Sequence, residues 1–120
     1  MFEVCVEHTF AAAHLLRNYN GKCENLHGHN YRVQVAVEGD ALNETGLLVD
    51  FTVLKGLLRK TSEYLDHRFI NELAPFDEMN PSAENLAKFF HDEIQRDLPS
   101  ARVSCVRVWE TDTSYATYRP

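Results

Sequence analysis

His27-Gly28-His29 places two imidazoles at i and i+2, which in an extended segment project to the same side. Ring nitrogens so arranged suit a transition-metal ion, and the glycine between them admits a close backbone or ligand. His14 ends an upstream run that reads as a strand, and a hairpin joined by the loop 15–26 would bring it near His27. Three imidazoles on one side make a Zn²⁺ site with an open fourth position, the catalytic rather than the structural pattern. Cys23 stands four residues before His27, in the polar stretch Asn20-Gly21-Lys22-Cys23-Glu24-Asn25. A thiol near Zn²⁺ has its pKa lowered, and the thiolate is a competent base or nucleophile. The alternative is a fourth ligand, giving a closed Cys-His₃ site with no chemistry. A bare His-x-His is often a surface or hydrogen-bonded pair; His14 and Cys23 tip this one toward metal.

Two further sites carry titratable groups. Asp66-His67 follows a helical stretch, and if the helix frays there the carboxylate can orient the imidazole for proton transfer. The competing reading is a helix C-terminus that favours a protonated histidine through its dipole. Glu110 follows Val106-Arg107-Val108-Trp109. It is either a solvated strand end or a bidentate acceptor for a guanidine-like ligand edge.

The elements that must position these residues follow from periodicity. Residues 2–10 set Phe2, Val4, Val6 and Phe10 against Glu3, Glu7 and Thr9, the alternation of a half-buried strand. Residues 31–38 repeat it, and Gly39-Asp40 ends the run. Asp50 caps a helix over roughly 51–65, with Leu54, Leu57, Leu58, Thr61 and Leu65 at helical spacing. Asn80-Pro81 reads as a cap with proline at the first helical position, ahead of the stripe Leu86, Ala87, Phe90, Ile94 and Leu98. Residues 102–109 and 113–119 close the chain as two β runs around a turn near Thr111-Asp112. The order ββααββ predicts an α+β layer, a four-stranded antiparallel sheet with both helices on one face. Such a sheet has two outer edges that either pair with another chain or are covered.

The 120 residues suit one domain, 1–120, with no repeat, linker or composition break. Twelve basic against eighteen acidic residues give a charge of −6, which argues against nucleic acid as a partner. No apolar run approaches the roughly 18 residues that span a membrane. The acidic start Met-Phe-Glu-Val-Cys-Val-Glu does not suit an export signal. Cys5, Cys23 and Cys105 have no disulfide-framework spacing and read as reduced thiols in the cytoplasm, with Cys5 and Cys105 buried in strands as small apolar residues.

Phe10-Ala11-Ala12-Ala13-His14 together with Cys23-Glu24-Asn25-Leu26-His27-Gly28-His29 resembles the 6-pyruvoyltetrahydropterin synthase and 6-carboxytetrahydropterin synthase family. The likeness runs collinearly through Gly46-Leu47-Leu48-Val49-Asp50-Phe51, Leu65-Asp66-His67, Asn80-Pro81-Ser82-Ala83-Glu84-Asn85-Leu86-Ala87 and Trp109-Glu110-Thr111. The length is close to the short bacterial branch that makes 6-carboxy-5,6,7,8-tetrahydropterin for queuosine (7-deazaguanine) biosynthesis. The resemblance implies the tunnelling fold, in which subunits join sheets edge to edge and trimers stack, as a hexamer or another trimer-based homo-oligomer with active sites between subunits. It implies the substrate 7,8-dihydroneopterin triphosphate, Zn²⁺ on His14, His27 and His29, and Cys23 as general base. Asp66 with His67 would form the other proton-relay pair, Glu110 would anchor the pterin's amino-pyrimidine edge, and Ser82 would stand near the pterin. Ala83 replaces a second hydroxyl found in some members, so that contact is missing here.

Within the resemblance, members that stop at 6-pyruvoyltetrahydropterin typically carry a longer spacer between the cysteine and His-Gly-His. A branch that makes 6-hydroxymethyl-7,8-dihydropterin for folate has glutamate three positions before His-Gly-His, where this chain has Glu24. Glu24 is thus either a second base giving a second product or a solvated loop residue. From a different class, a non-catalytic zinc-binding assembly module also fits the histidines. Lys22 and Arg17 are the candidate bases for the triphosphate.

Overall fold

The computed structural model describes residues 1–21 and 24–120. Alternation carries the first two strands past their apolar stretches and into the histidines. β1 (Phe2–His14) and β2 (His27–Gly39) pair antiparallel along their whole length, with Phe10 opposite Tyr31, Ala12 opposite His29 and His14 opposite His27. β3 (Arg102–Thr111) and β4 (Ser114–Tyr118) complete an antiparallel sheet of order β1-β2-β3-β4. α1 (Phe51–Leu65) and α2 (Ala83–Asp97) cover one face, and the order is the expected ββααββ. No helix of the described residues is long and apolar enough to cross a membrane.

The core is the inward parity of the strands. Val6, Phe10 and Ala12 of β1 meet Tyr31, Val33, Val35 and Val37 of β2 beneath Leu54, Leu58, Leu86, Phe90 and Ile94 of the helices. Each fully buried leucine there contributes roughly 1.5–3 kcal/mol. Val103 and Val106 both face the core despite their odd spacing, because the register shifts between Ala36 and Val37 and one extra β3 residue reverses the parity. A second irregularity between Trp109 and Thr111 falls on Glu110.

Two local expectations are corrected. Cys5 is exposed, bonded through its thiol to Glu3, since it shares the outward parity of Glu3 and Glu7. α2 is capped by Ser82, whose Oγ accepts from the Asn85 amide, and not by Asn80; Pro81 lies outside the helix. The Asn80 side chain instead bridges both backbone groups of Arg17, which ties the segment before α2 to the end of β1. Asp50 caps α1 as expected, accepting from the Thr52 amide and hydroxyl.

Candidate active site

His14, His27 and His29 continue the inward parity of β1 and β2 beyond the apolar core. Their side chains each offer a ring nitrogen, all within 4.8 Å of one another. His14 is 1% exposed, and its Nδ1–H donates to the Pro81 carbonyl at 2.7 Å. The His27 Nδ1–H donates to the Asn25 carbonyl, also at 2.7 Å. These bonds fix the proton of each ring on Nδ1 and leave lone pairs on the two Nε2 atoms, which face each other at 2.9 Å. Two lone pairs in contact repel unless a cation lies between them. The Nε2 of His29 is likewise buried with no hydrogen-bond partner. Burial pushes His14 and His29 below the ordinary 6.5, against the opposing pull of Glu110 and, at His14, of the Pro81 carbonyl. Three convergent ring nitrogens, two of the rings backed by backbone carbonyls, are the donor set of a metal site. The residues fit a metal ion.

Glu110 reaches the same cluster from β3. Its two carboxylate oxygens lie 3.9 Å from Nε2 of His14 and of His29. Glu110 and Ser82 line one cavity of 310 Å³ together with Leu16, Ala83 and Tyr115. The Ser82 oxygen is engaged as the helix cap, which leaves its hydrogen to donate. Tyr31 lies under the cluster, wholly buried, and burial with the Glu110 charge second pushes its phenol well above the ordinary range. Tyr31 was not among the residues singled out from the sequence. Its parity with His27 and His29 was the available signal.

Asp66 and His67 sit elsewhere. The helix ends at Leu65, and His67 adopts φ 57°, in the left-handed region. That backbone costs about 1–2 kcal/mol for an L-residue and is held by a double clamp on β1. His67 N–H donates to the Ala11 carbonyl, and the Ala11 amide donates to Asp66 Oδ1 at 3.0 Å. The Ala11 amide first, and the His67 ring second, hold the Asp66 carboxyl below its usual range. Asp66 Oδ1 and His67 Nδ1 are 2.9 Å apart, so the pair does make the contact that a continuing helix would prevent. His67 is 81% exposed and lines a second cavity, of 490 Å³, with residues of both strand parities, Ala11, Ala13, Gly28 and Asn30 on one and Ala12 and His29 on the other.

The remaining candidates divide. Glu24 is exposed in the loop between β1 and β2. Cys23 and Lys22 lie outside the described residues. The Arg17 guanidinium, a sequence candidate for binding phosphate, donates instead to the carbonyls of Asn71, Phe76 and Met79. A Cβ at Gly28 would meet only the Ala12 carbonyl at an ordinary 3.6 Å, so no close approach within this chain demands a glycine there.

This geometry has counterparts. Residues 3–120 match the family model described as 6-pyruvoyl tetrahydropterin synthase. The 6-carboxy-5,6,7,8-tetrahydropterin synthase of Haemophilus influenzae is 31% identical over 141 residues, with 99% of each chain covered. The Bacillus subtilis enzyme of the same name is 37% identical over 128 residues, covering 99% of this chain and 86% of its own. The solved structure of Caenorhabditis elegans 6-pyruvoyl tetrahydropterin synthase superposes with a TM-score of 0.86 at 27% identity, covering 100% of this chain and 97% of the other. The collinear motifs, the tunnelling-fold sheet and the histidine cluster therefore have one source: the chain belongs to the 6-pyruvoyl tetrahydropterin synthase family.

Proposed function

We propose that the protein is a zinc-dependent 6-carboxy-5,6,7,8-tetrahydropterin synthase. As a carbon–carbon lyase it would convert 7,8-dihydroneopterin triphosphate and water to 6-carboxytetrahydropterin, acetaldehyde and triphosphate, for queuosine biosynthesis. The observation that carries the metal half of this reading is the 2.9 Å contact of two Nε2 atoms whose rings have already committed their Nδ1 protons. The choice of the carboxy product is supported by the names of the two bacterial relatives that cover 99% of this chain and by the short Cys-x₃-His-Gly-His spacing.

Each residue then has a role. His14, His27 and His29 hold the metal, and Zn²⁺ there supplies Lewis acidity to hydroxyls on the substrate side chain. Glu110 accepts two N–H bonds from the amino-pyrimidine edge, the bidentate geometry a carboxylate makes with a guanidine-like group. Ser82 donates its remaining hydroxyl hydrogen in the same cavity. Cys23, assigned by its place in the sequence, takes a proton from the substrate side chain as a thiolate. Asp66 fixes the His67 ring through Nδ1 and leaves Nε2 to move a proton on the other side.

Asp66 and His67 stand on the outer edge of β1, and the cavity that His67 lines is not the one lined by Glu110 and Ser82. In our reading they serve a neighbouring subunit's imidazole cluster, within a hexamer or another trimer-based assembly of this chain. Mass spectrometry of the products from 7,8-dihydroneopterin triphosphate tests the function. The carboxy product with released acetaldehyde is expected; a pyruvoyl or hydroxymethyl product, or no turnover by zinc-loaded protein, contradicts it.

A further inference from the structure

Tyr31 is where the imidazole cluster meets the apolar core. Its ring stacks on Phe10 at 5.0 Å and meets His14 and His29 edge-on at 5.8 and 5.4 Å. Tyr31 is 0% exposed, yet its hydroxyl has no hydrogen-bond partner. Among the described residues, the other buried side-chain polar atom in that condition is Nε2 of His29. A phenol buried without a partner is worse than phenylalanine of the same shape, because its lost hydration is not replaced. The β2–β3 register pairs Arg32 with Trp109, the sequence neighbours of Tyr31 and Glu110. The carboxylate of Glu110 is in turn 3.9 Å from His29 Nε2. The two unsatisfied groups thus belong to rings in edge-to-face contact, 5.4 Å between centroids.

We propose that Tyr31 is a positioning residue of this site: its hydroxyl hydrogen-bonds an oxygen, of water or of a ligand hydroxyl, seated beside His14, His27 and His29 when the site is filled. A hydroxyl both donates and accepts, so it suits either oxygen. The inference rests on the metal reading proposed above. It explains why a tyrosine occupies a position where the surrounding core, Phe10 above all, would accept phenylalanine.

The test is Tyr31→Phe, with zinc alone as the probe. Three quantities are read: thermal unfolding without metal, zinc affinity in competition with a chromophoric chelator, and the visible spectrum of the cobalt-substituted protein. The metal-free variant is expected to be at least as stable as the parent, because an unsatisfied polar atom has gone. Its zinc affinity is expected to fall about 10- to 100-fold, with a changed cobalt spectrum. A purely structural tyrosine would move only the unfolding temperature. Unchanged zinc affinity and cobalt spectrum in the variant, with a parent that binds both metals, overturns the role of Tyr31 alone. A parent that binds neither metal overturns the metal reading and this role with it. If the variant does not fold, the parent with ring-labelled tyrosine decides: the Tyr31 Cζ resonance must shift on adding zinc, and a resonance that stays in place overturns the proposal.

Discussion

His14 is 1% exposed, with Nδ1 bonded to Pro81 and Nε2 turned to His27, whereas His67, clamped to the outer edge of the same strand, is 81% exposed. The first belongs to a cluster assembled by two strands of one chain, backed by the carbonyls of Pro81 and Asn25 and faced by Glu110 of a third. The second is held at its backbone by Ala11 and at Nδ1 by Asp66, and it presents the rest of its ring outward. One region gathers within the chain three ring nitrogens that could hold a metal ion. The other is clamped at its backbone and turned outward, and the function proposed above has it act on another subunit's cluster.

The largest effect should separate the two regions by metal content. The double variant His27→Ala, His29→Ala is expected to lose its metal, from one Zn²⁺ per chain to none, while keeping the fold, since a catalytic metal need not hold the core together. His67→Ala is expected to keep full zinc while losing about 10²- to 10⁴-fold in turnover. Elemental analysis beside a steady-state assay reads both, and full zinc in the double variant would remove the cluster as the metal site.

Backbone strain sharpens the comparison further. Glycine adopts φ 57° without penalty, so His67→Gly should be no less stable than the parent although it has lost its imidazole. His67→Val should be less stable than His67→Gly by about 1–2 kcal/mol. Denaturant melts of the pair check this, and equal stability would mean that the left-handed backbone is not retained.

Acid should act on the buried cluster. Burial lowers the pKa of His14 and His29 below 6.5, so the folded state binds fewer protons than the unfolded state as pH falls through that value. Stability of the metal-free protein is therefore full above 6.5 and declines from there down to the lowered folded pKa. Protons compete with zinc for His14 and His29 in the folded protein only at and below their lowered pKa, because the ligands must be neutral. Melting temperature against pH, with and without zinc, reads the effect. A melting temperature that rises on acidification through this window would contradict the buried neutral cluster.

The smallest expected effect is at Ser82. Ser82→Ala removes the α2 cap and should cost about 1 kcal/mol, with zinc content unchanged. Thermal melts check the first part. Loss of zinc would mean that Ser82 supports the metal cluster through Pro81.

Period-2 alternation made the sheet and the shared parity of His14, His27 and His29 legible, because side-chain direction in a strand depends on little beyond local sequence. The α1 cap at Asp50 was legible for the same reason. Asn80 and Ser82 both have cap chemistry, and the choice between them was settled by a long-range contact: Asn80 is occupied by the Arg17 backbone. The engagement of Arg17 is not legible locally, because the carbonyls that bind its guanidinium come from residues 71–79, distant in sequence. The Asp66–His67 contact needs a left-handed residue stabilised by Ala11, 55 positions from Asp66, which no local pattern displays. Tyr31 went unnoticed because a tyrosine continuing an apolar parity looks like core until its hydroxyl is found without a partner.

In the function proposed above, the imidazole cluster of one chain works with the Asp66–His67 pair of another. Subunit mixing tests it directly. Chains carrying His27→Ala and His29→Ala are unfolded and refolded together with His67→Ala chains, in the presence of zinc, and the turnover of 7,8-dihydroneopterin triphosphate is measured. Two inactive parents should give an active mixture, because some sites then combine an intact cluster with an intact relay pair. If the mixture forms mixed oligomers and remains as inactive as its parents, both regions act within one chain and the shared site is wrong.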